Sequence, residues 1–112
     1  MWVFLNNSFF SIVQHREENN VVVVRARIKG DLENVFGHEH EVFDTKESDY
    51  KFRMFLNKEY VSKVLQEKVM AIDYGNFKDS IKKNDTDRKS AYMYVWSVMN
   101  GWQEKLYGKQ WW

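Results

Sequence analysis

Cysteine and proline are both absent from the 112 residues. Without cysteine there is no disulfide framework, no thiolate metal site and no cysteine nucleophile, a composition that fits a reducing compartment. Without proline there is no proline-rich linker. Glycine is scarce, and Gly30, Gly37, Gly75, Gly101 and Gly108 are scattered, so neither the dinucleotide-binding fingerprint nor a Walker loop exists and no cofactor is expected. There is no Gly-x-Ser-x-Gly elbow. Ser-x-x-Lys occurs at Ser48/Lys51 and Ser80/Lys83, as chance allows in a chain of this composition. No apolar run reaches membrane-spanning length, so no membrane partner is expected. The apolar start, Met1 to Val13, lacks a basic flank and is broken by Asn6, Asn7 and Ser8 before a signal peptide could form. Cytoplasm is the expected location.

What is present is enough for a core. Hydrophobic residues make up 44% and aromatics 17%, while 29% charged residues keep the exterior wet, a balance that argues against disorder. The length suits one domain over residues 1–112. The net charge of +1 predicts no partner, but its distribution is uneven. Residues 31–49 hold Asp31, Glu33, Glu39, Glu41, Asp44, Glu47 and Asp49 against Lys46 alone, a local balance of −6, and both flanking segments are basic.

Along the chain, Trp2–Leu5 and Phe9–Val13 are β-prone runs around Asn6-Asn7-Ser8, and Asn tolerates the positive φ of tight hairpins, so a hairpin is predicted. Val21 to Ile28 is rich in β-branched residues and predicts a third antiparallel strand. Val22, Val24, Ala26 and Ile28 share one face there, and Val21, Val23, Arg25, Arg27 and Lys29 the other. Gly30-Asp31 offers a stop and an N-cap for a short helix through Leu32, Val35 and Phe36. His38 to Asp49 reads as a loop with a short edge strand near Glu41–Phe43. Lys51 to Leu56 alternates, with Phe52, Met54 and Leu56 toward the core. Asn57 caps a helix to about residue 72 through Val61, Val64, Leu65, Val69 and Ile72, and Gly75 terminates it. Phe77 and Ile81 suggest a short helix. Asp85-Thr86-Asp87 opens a last one, with Ala91, Val95, Val98, Trp102 and Leu106 as its apolar stripe and Tyr92, Trp96 and Met99 widening it toward a core. The expected fold is α+β: an antiparallel sheet of four or five strands, begun by a three-stranded meander and packed against two or three helices toward the C-terminus.

Three sets of segments, Met1-Trp2-Val3-Phe4 with the strands after it, Ile72-Asp73-Tyr74-Gly75-Asn76-Phe77-Lys78, and Ala91 to Met99, resemble the recurring blocks of a group of small bacterial and prophage proteins of unassigned function. The likeness covers most of the chain and implies a phage or prophage setting, but no activity.

Three functional readings follow. The leading one is a non-enzymatic protein-binding module, a phage or prophage accessory factor that inhibits a host defence, in the manner of an anti-CRISPR protein, or another nucleic-acid-processing complex. Its acidic segment, Glu39, Glu41, Asp44, Glu47 and Asp49, would compete with nucleic acid for a partner's basic surface. The second is a single-stranded nucleic-acid-binding domain. Arg25, Arg27 and Lys29 on one strand face and Lys51, Arg53 and Phe55 on another would make a basic, partly aromatic sheet surface, although no ribonucleoprotein signature is present and a pI of 7.9 is only mildly basic. The third is a small metal-dependent enzyme. In an extended strand His38 and His40 point the same way and His15 would be a third ligand; carboxylate pairs drawn from Asp44, Glu47, Asp49 and Asp73 are easily imagined among sixteen acids. Against each stands a plainer reading: a solvated acidic loop, solvated strand faces, and surface histidines. Finally, Leu106, Tyr107, Trp111 and Trp112 gather apolar surface at the terminus, which predicts either docking on the chain's own sheet or a homodimer or partner contact.

Overall fold

The computed structural model describes residues 1–109. The chain divides into two compact units, Met1–Asp73 and the segment from Tyr74 onward. In the first, strands β1 (Trp2–Leu5), β2 (Ser8–Gln14), β3 (Val21–Ala26), β4 (Phe43–Asp44) and β5 (Phe52–Asn57) form one antiparallel sheet in the order β1-β2-β3-β5-β4, with helices α1 (Asp31–Phe36) and α2 (Lys58–Met70). The second contains a 3-10 turn (Lys78–Ser80) and helix α3 (Thr86–Tyr107). The fold is α+β, with the N-terminal meander in chain order.

Alternation along the strands decides the two faces of the sheet. Phe10, Val22, Val24, Ala26, Met54 and Leu56 point inward and, with Leu32 and Phe36 of α1 and Val61 and Val64 of α2, make the core. Phe10, Val24, Ala26, Leu32 and Met54 are completely enclosed. α2 begins where the Asn57 side chain accepts the Glu59 and Tyr60 amides, replacing hydrogen bonds that the first helical turn cannot make internally.

Several local expectations need correction. The β1–β2 turn at Asn6-Asn7 uses no positive φ, since among the described residues only Gly30, Gly37 and Gly108 adopt one. β3 ends at Ala26, and Ile28 is 58% exposed rather than core. Asp31 is not the cap of α1. Gly30 takes that place with φ 93°, and the buried Asp31 carboxylate accepts the Phe9 amide of β2 at 2.9 Å, tying helix to sheet. α2 stops at Met70, with Ala71 rather than Gly75 at its end, and both Val69, still within the helix, and Ile72, beyond it, are exposed rather than core. In α3, Asp85 caps as expected by accepting the Arg88 amide, but no α3 residue is buried, and Trp96, Val98, Trp102 and Leu106 are all more than half exposed.

Candidate nucleic-acid interface

The outer face of the sheet, opposite α1 and α2, carries the charge. Strand register places Trp2 beside Ser11, Ser11 beside Arg25, Arg25 beside Arg53 and Arg53 beside Phe43, a single row across all five strands. Five strands at about 4.8 Å spacing make this row roughly 19 Å long. An aromatic ring stands at each end and two guanidinium groups in the middle.

Like charges directly opposite on a sheet are unfavourable, so the Arg25–Arg53 pair needs local support. Arg25 Nη2 donates to Ser11 Oγ at 2.8 Å, and Arg53 Nη2 donates to Ser48 Oγ. Tyr50, only 3% exposed, supplies a ring face to two cations, with the Arg25 and Arg27 guanidinium carbons 4.4 and 4.1 Å from its centroid. Arg27 Nη1 also donates to the Asp49 carbonyl at 2.7 Å. These contacts hold the arginines without neutralising them. Among the described residues, none of the three forms an ion pair. The Nε donors of Arg25 and Arg53 are buried with no hydrogen-bond partner, a state that costs about 1–3 kcal/mol per donor.

Beside this row, Phe55 is 50% exposed, with the His15 ring edge-on at 5.2 Å and the Phe43 ring tilted at 5.2 Å. Arg16, Arg25, Arg53, His15 and Phe55 line a cavity of about 490 Å³. At the β1 edge Phe4 stacks on Phe9 at 4.5 Å and Trp2 meets Phe9 edge-on. The surface therefore combines fixed cations with aromatic rings.

Arg25, Arg27 and Arg53 are brought together as the alternation predicts, whereas Lys29 is not. β3 ends before it, and Lys29 lies exposed in the following turn. Lys51 is drawn toward the Phe52 ring, 5.6 Å away. Tyr50, Ser11, Ser48, Trp2, Phe43 and Arg16 escape the sequence reading. Tyr50 sits in a polar stretch that looks like loop, and the row becomes visible only once β5 is known to pair with β3.

The three histidines do not gather. His38 to His40 form bends rather than a strand, so the same-side argument fails. His40 Nε2 lies 3.3 Å from the Tyr60 hydroxyl, while His15 Nδ1 accepts the Glu17 and Glu18 amides. No group of three residues able to hold a metal occurs among the described residues. Glu39, Glu41, Asp44, Glu47 and Asp49 are all exposed, and among the described residues they make no ion pair. Trp111 and Trp112 lie outside the described residues. Among those residues no helix is long and apolar enough to cross a membrane.

No protein-family model, curated protein or solved structure matches this chain.

Proposed function

We propose that the protein is a non-enzymatic binding module that holds single-stranded nucleic acid on the outer face of its sheet. The observation that carries this reading is the row Trp2, Ser11, Arg25, Arg53, Phe43, in which two opposed guanidinium groups have buried Nε donors without partners. A phosphate there would relieve the like-charge pair and accept from the outward edges of the two guanidinium groups, a charge-assisted contact stronger than a neutral one. Phe55, Phe43 and Trp2 offer rings on which bases stack, each worth about 1–3 kcal/mol. Such stacking is indifferent to sequence, so little base preference is expected. Three arginines on phosphates of a single strand give a slope of log K against log salt of about −2. Fluorescence anisotropy with a labelled thymidine oligomer of about ten nucleotides measures both affinity and slope. Saturable binding that Arg25→Ala and Arg53→Ala each weaken supports the reading, and no binding at low salt removes it.

A second reading rests on the five exposed carboxylates at Glu39, Glu41, Asp44, Glu47 and Asp49, which are left without cationic partners among the described residues. They suit a protein partner with a basic surface, and the prophage likeness directs the search to host defence complexes. Capture from host lysate with a variant carrying all five as lysine for a control tests it. A partner held by the parent and lost from the variant supports this second surface; identical recovery from both removes it.

A further inference from the structure

The cavity beside the arginine row has a lining of its own. Val23 stands opposite Phe55, and Val13 of β2 stands opposite Val23, so a second row runs parallel to the first at two residues' distance along the strands. These three side chains give the cavity an apolar wall with one half-exposed ring, and the β2–β3 turn closes it with His15, Arg16 and Glu17. That turn is pinned. The Gln14 side-chain amide donates to the carbonyls of Glu18, Asn19 and Val21, and Lys58 Nζ donates to Gln14 Oε1 at 2.7 Å. His15 Nδ1 accepts the Glu17 and Glu18 amides, which puts the proton of the neutral ring on Nε2. His15 therefore adds a donor and no charge. Arg16, Arg25 and Arg53 face Glu17 alone, a balance of +2, and none of the four forms an ion pair among the described residues. Resting on the reading of the sheet face as a nucleic-acid surface, we propose that this cavity receives the terminal nucleotide of a strand that ends in a phosphate monoester.

Charge favours a strand end over an internal position. An internal phosphodiester carries a single negative charge, whereas a phosphate monoester carries about −1.5 to −2 at pH 7, the complement of the cavity. The donors are available. Among the described residues, Nη1 of Arg25 and of Arg53 makes no hydrogen bond and, unlike Nε, is not buried, so each guanidinium keeps an outward edge for phosphate oxygens. Size agrees. The volume of about 490 Å³ falls within the range of about 300–1,000 Å³ for sites that hold one small ligand, and it suits one nucleotide with its base against Phe55 and the two valines. An acidic peptide fits less well, since each carboxylate brings one charge and neither Asp nor Glu brings a ring to stack on Phe55.

Competition anisotropy with the full chain provides the test. A labelled thymidine oligomer of about ten nucleotides with hydroxyl ends is displaced by unlabelled oligomers carrying a 5′-phosphate, a 3′-phosphate or neither. At least one phosphorylated oligomer should compete about tenfold better than the hydroxyl form, the gain of a charged contact, and should lose most of that advantage when a methyl ester reduces its terminal phosphate to one charge. Arg16→Ala should shrink the preference by about twofold to fivefold, the reach of an exposed charge pair, and Glu17→Gln should enlarge it by a similar factor. Both side chains are exposed on the turn, and opposite shifts from neighbouring positions cannot come from misfolding. Equal competition by phosphorylated and hydroxyl oligomers overturns the proposal and leaves the sheet-face reading standing, whereas no binding of any oligomer removes that reading and the proposal with it. A preference that survives the methyl ester, or that neither variant changes, also overturns it. Thymidine monophosphate that displaces the oligomer as well as the phosphorylated strand does overturns the strand end and assigns the cavity to a free nucleotide.

Discussion

Reversing one charge in the central row separates binding from folding. In Arg25→Glu the residue opposite Arg53 becomes its complement, replacing a repulsion with an attraction, each about 0.2–1 kcal/mol. Against this gain stand the lost stacking on Tyr50, about 1 kcal/mol, and the lost hydrogen bond to Ser11, about 1 kcal/mol. The terms nearly cancel, so stability should stay within about 1 kcal/mol of the parent, a change of roughly 4 °C in Tm. Binding has no such compensation. One phosphate contact is removed and a carboxylate is set beside another, so the salt slope should fall from about −2 to about −0.7. Affinity at low salt should fall at least tenfold, the loss of about 1.5–3 kcal/mol for a charged hydrogen bond. Thermal melting followed by circular dichroism and anisotropy over a salt series supply the two readouts. Unchanged affinity and slope would refute the site. Weakened binding accompanied by a loss of more than about 10 °C in Tm would show that Arg25 acts through the fold instead.

Further substitutions probe the scaffold. Asp31→Ala leaves the Phe9 amide unpaired and should cost about 2 kcal/mol in urea denaturation, whereas Asp31→Asn, which keeps an acceptor, should cost less. Met54→Ala empties a fully enclosed site and should cost about 2–5 kcal/mol; Val69→Ala, at an exposed position of α2, should change stability by less than about 0.5 kcal/mol in the same assay. Gly101 lies inside α3 with open space where a Cβ would stand, so Gly101→Ala should stabilise the helix by about 0.5–1 kcal/mol. Gly37→Ala should destabilise by about 1 kcal/mol or more, because φ is +85° and the new Cβ would press on Glu39. Thermal melts of the two glycine variants should therefore shift in opposite directions.

The parts of the fold that rest on local pattern were legible in the sequence. The β-branched run of β3, the alternation of Phe52, Met54 and Leu56 and the Asn57 cap each need only neighbouring residues, and each has its expected role. Features that depend on distant partners were not. β3 stops at Ala26, and Arg27 beyond it contacts Tyr50 and the Asp49 carbonyl, residues more than twenty positions away. Asp31 looked like a cap because its sequence neighbours suit one, yet its carboxylate serves β2. For the candidate site, alternation alone put Arg25 and Arg27 on one face and Arg53 on another strand. Their union required the β3–β5 pairing that skips β4, and the buried Tyr50 beneath them carried no pattern of its own. The α3 stripe shows the converse limit: helical spacing of apolar residues predicts an amphipathic helix but does not say what its face meets.

The most direct test of the sheet-face account is nuclear magnetic resonance of the ¹⁵N-labelled protein during titration with a short thymidine oligomer, observing the arginine Nε–H signals together with the backbone amides. The account predicts that the Nε–H resonances of Arg25 and Arg53, the two buried donors without partners, shift together and saturably with the outer-face residues of β2, β3 and β5, while α2 stays unchanged. Saturable shifts confined to α2 or α3, or no shift at either Nε–H at millimolar oligomer, would contradict it.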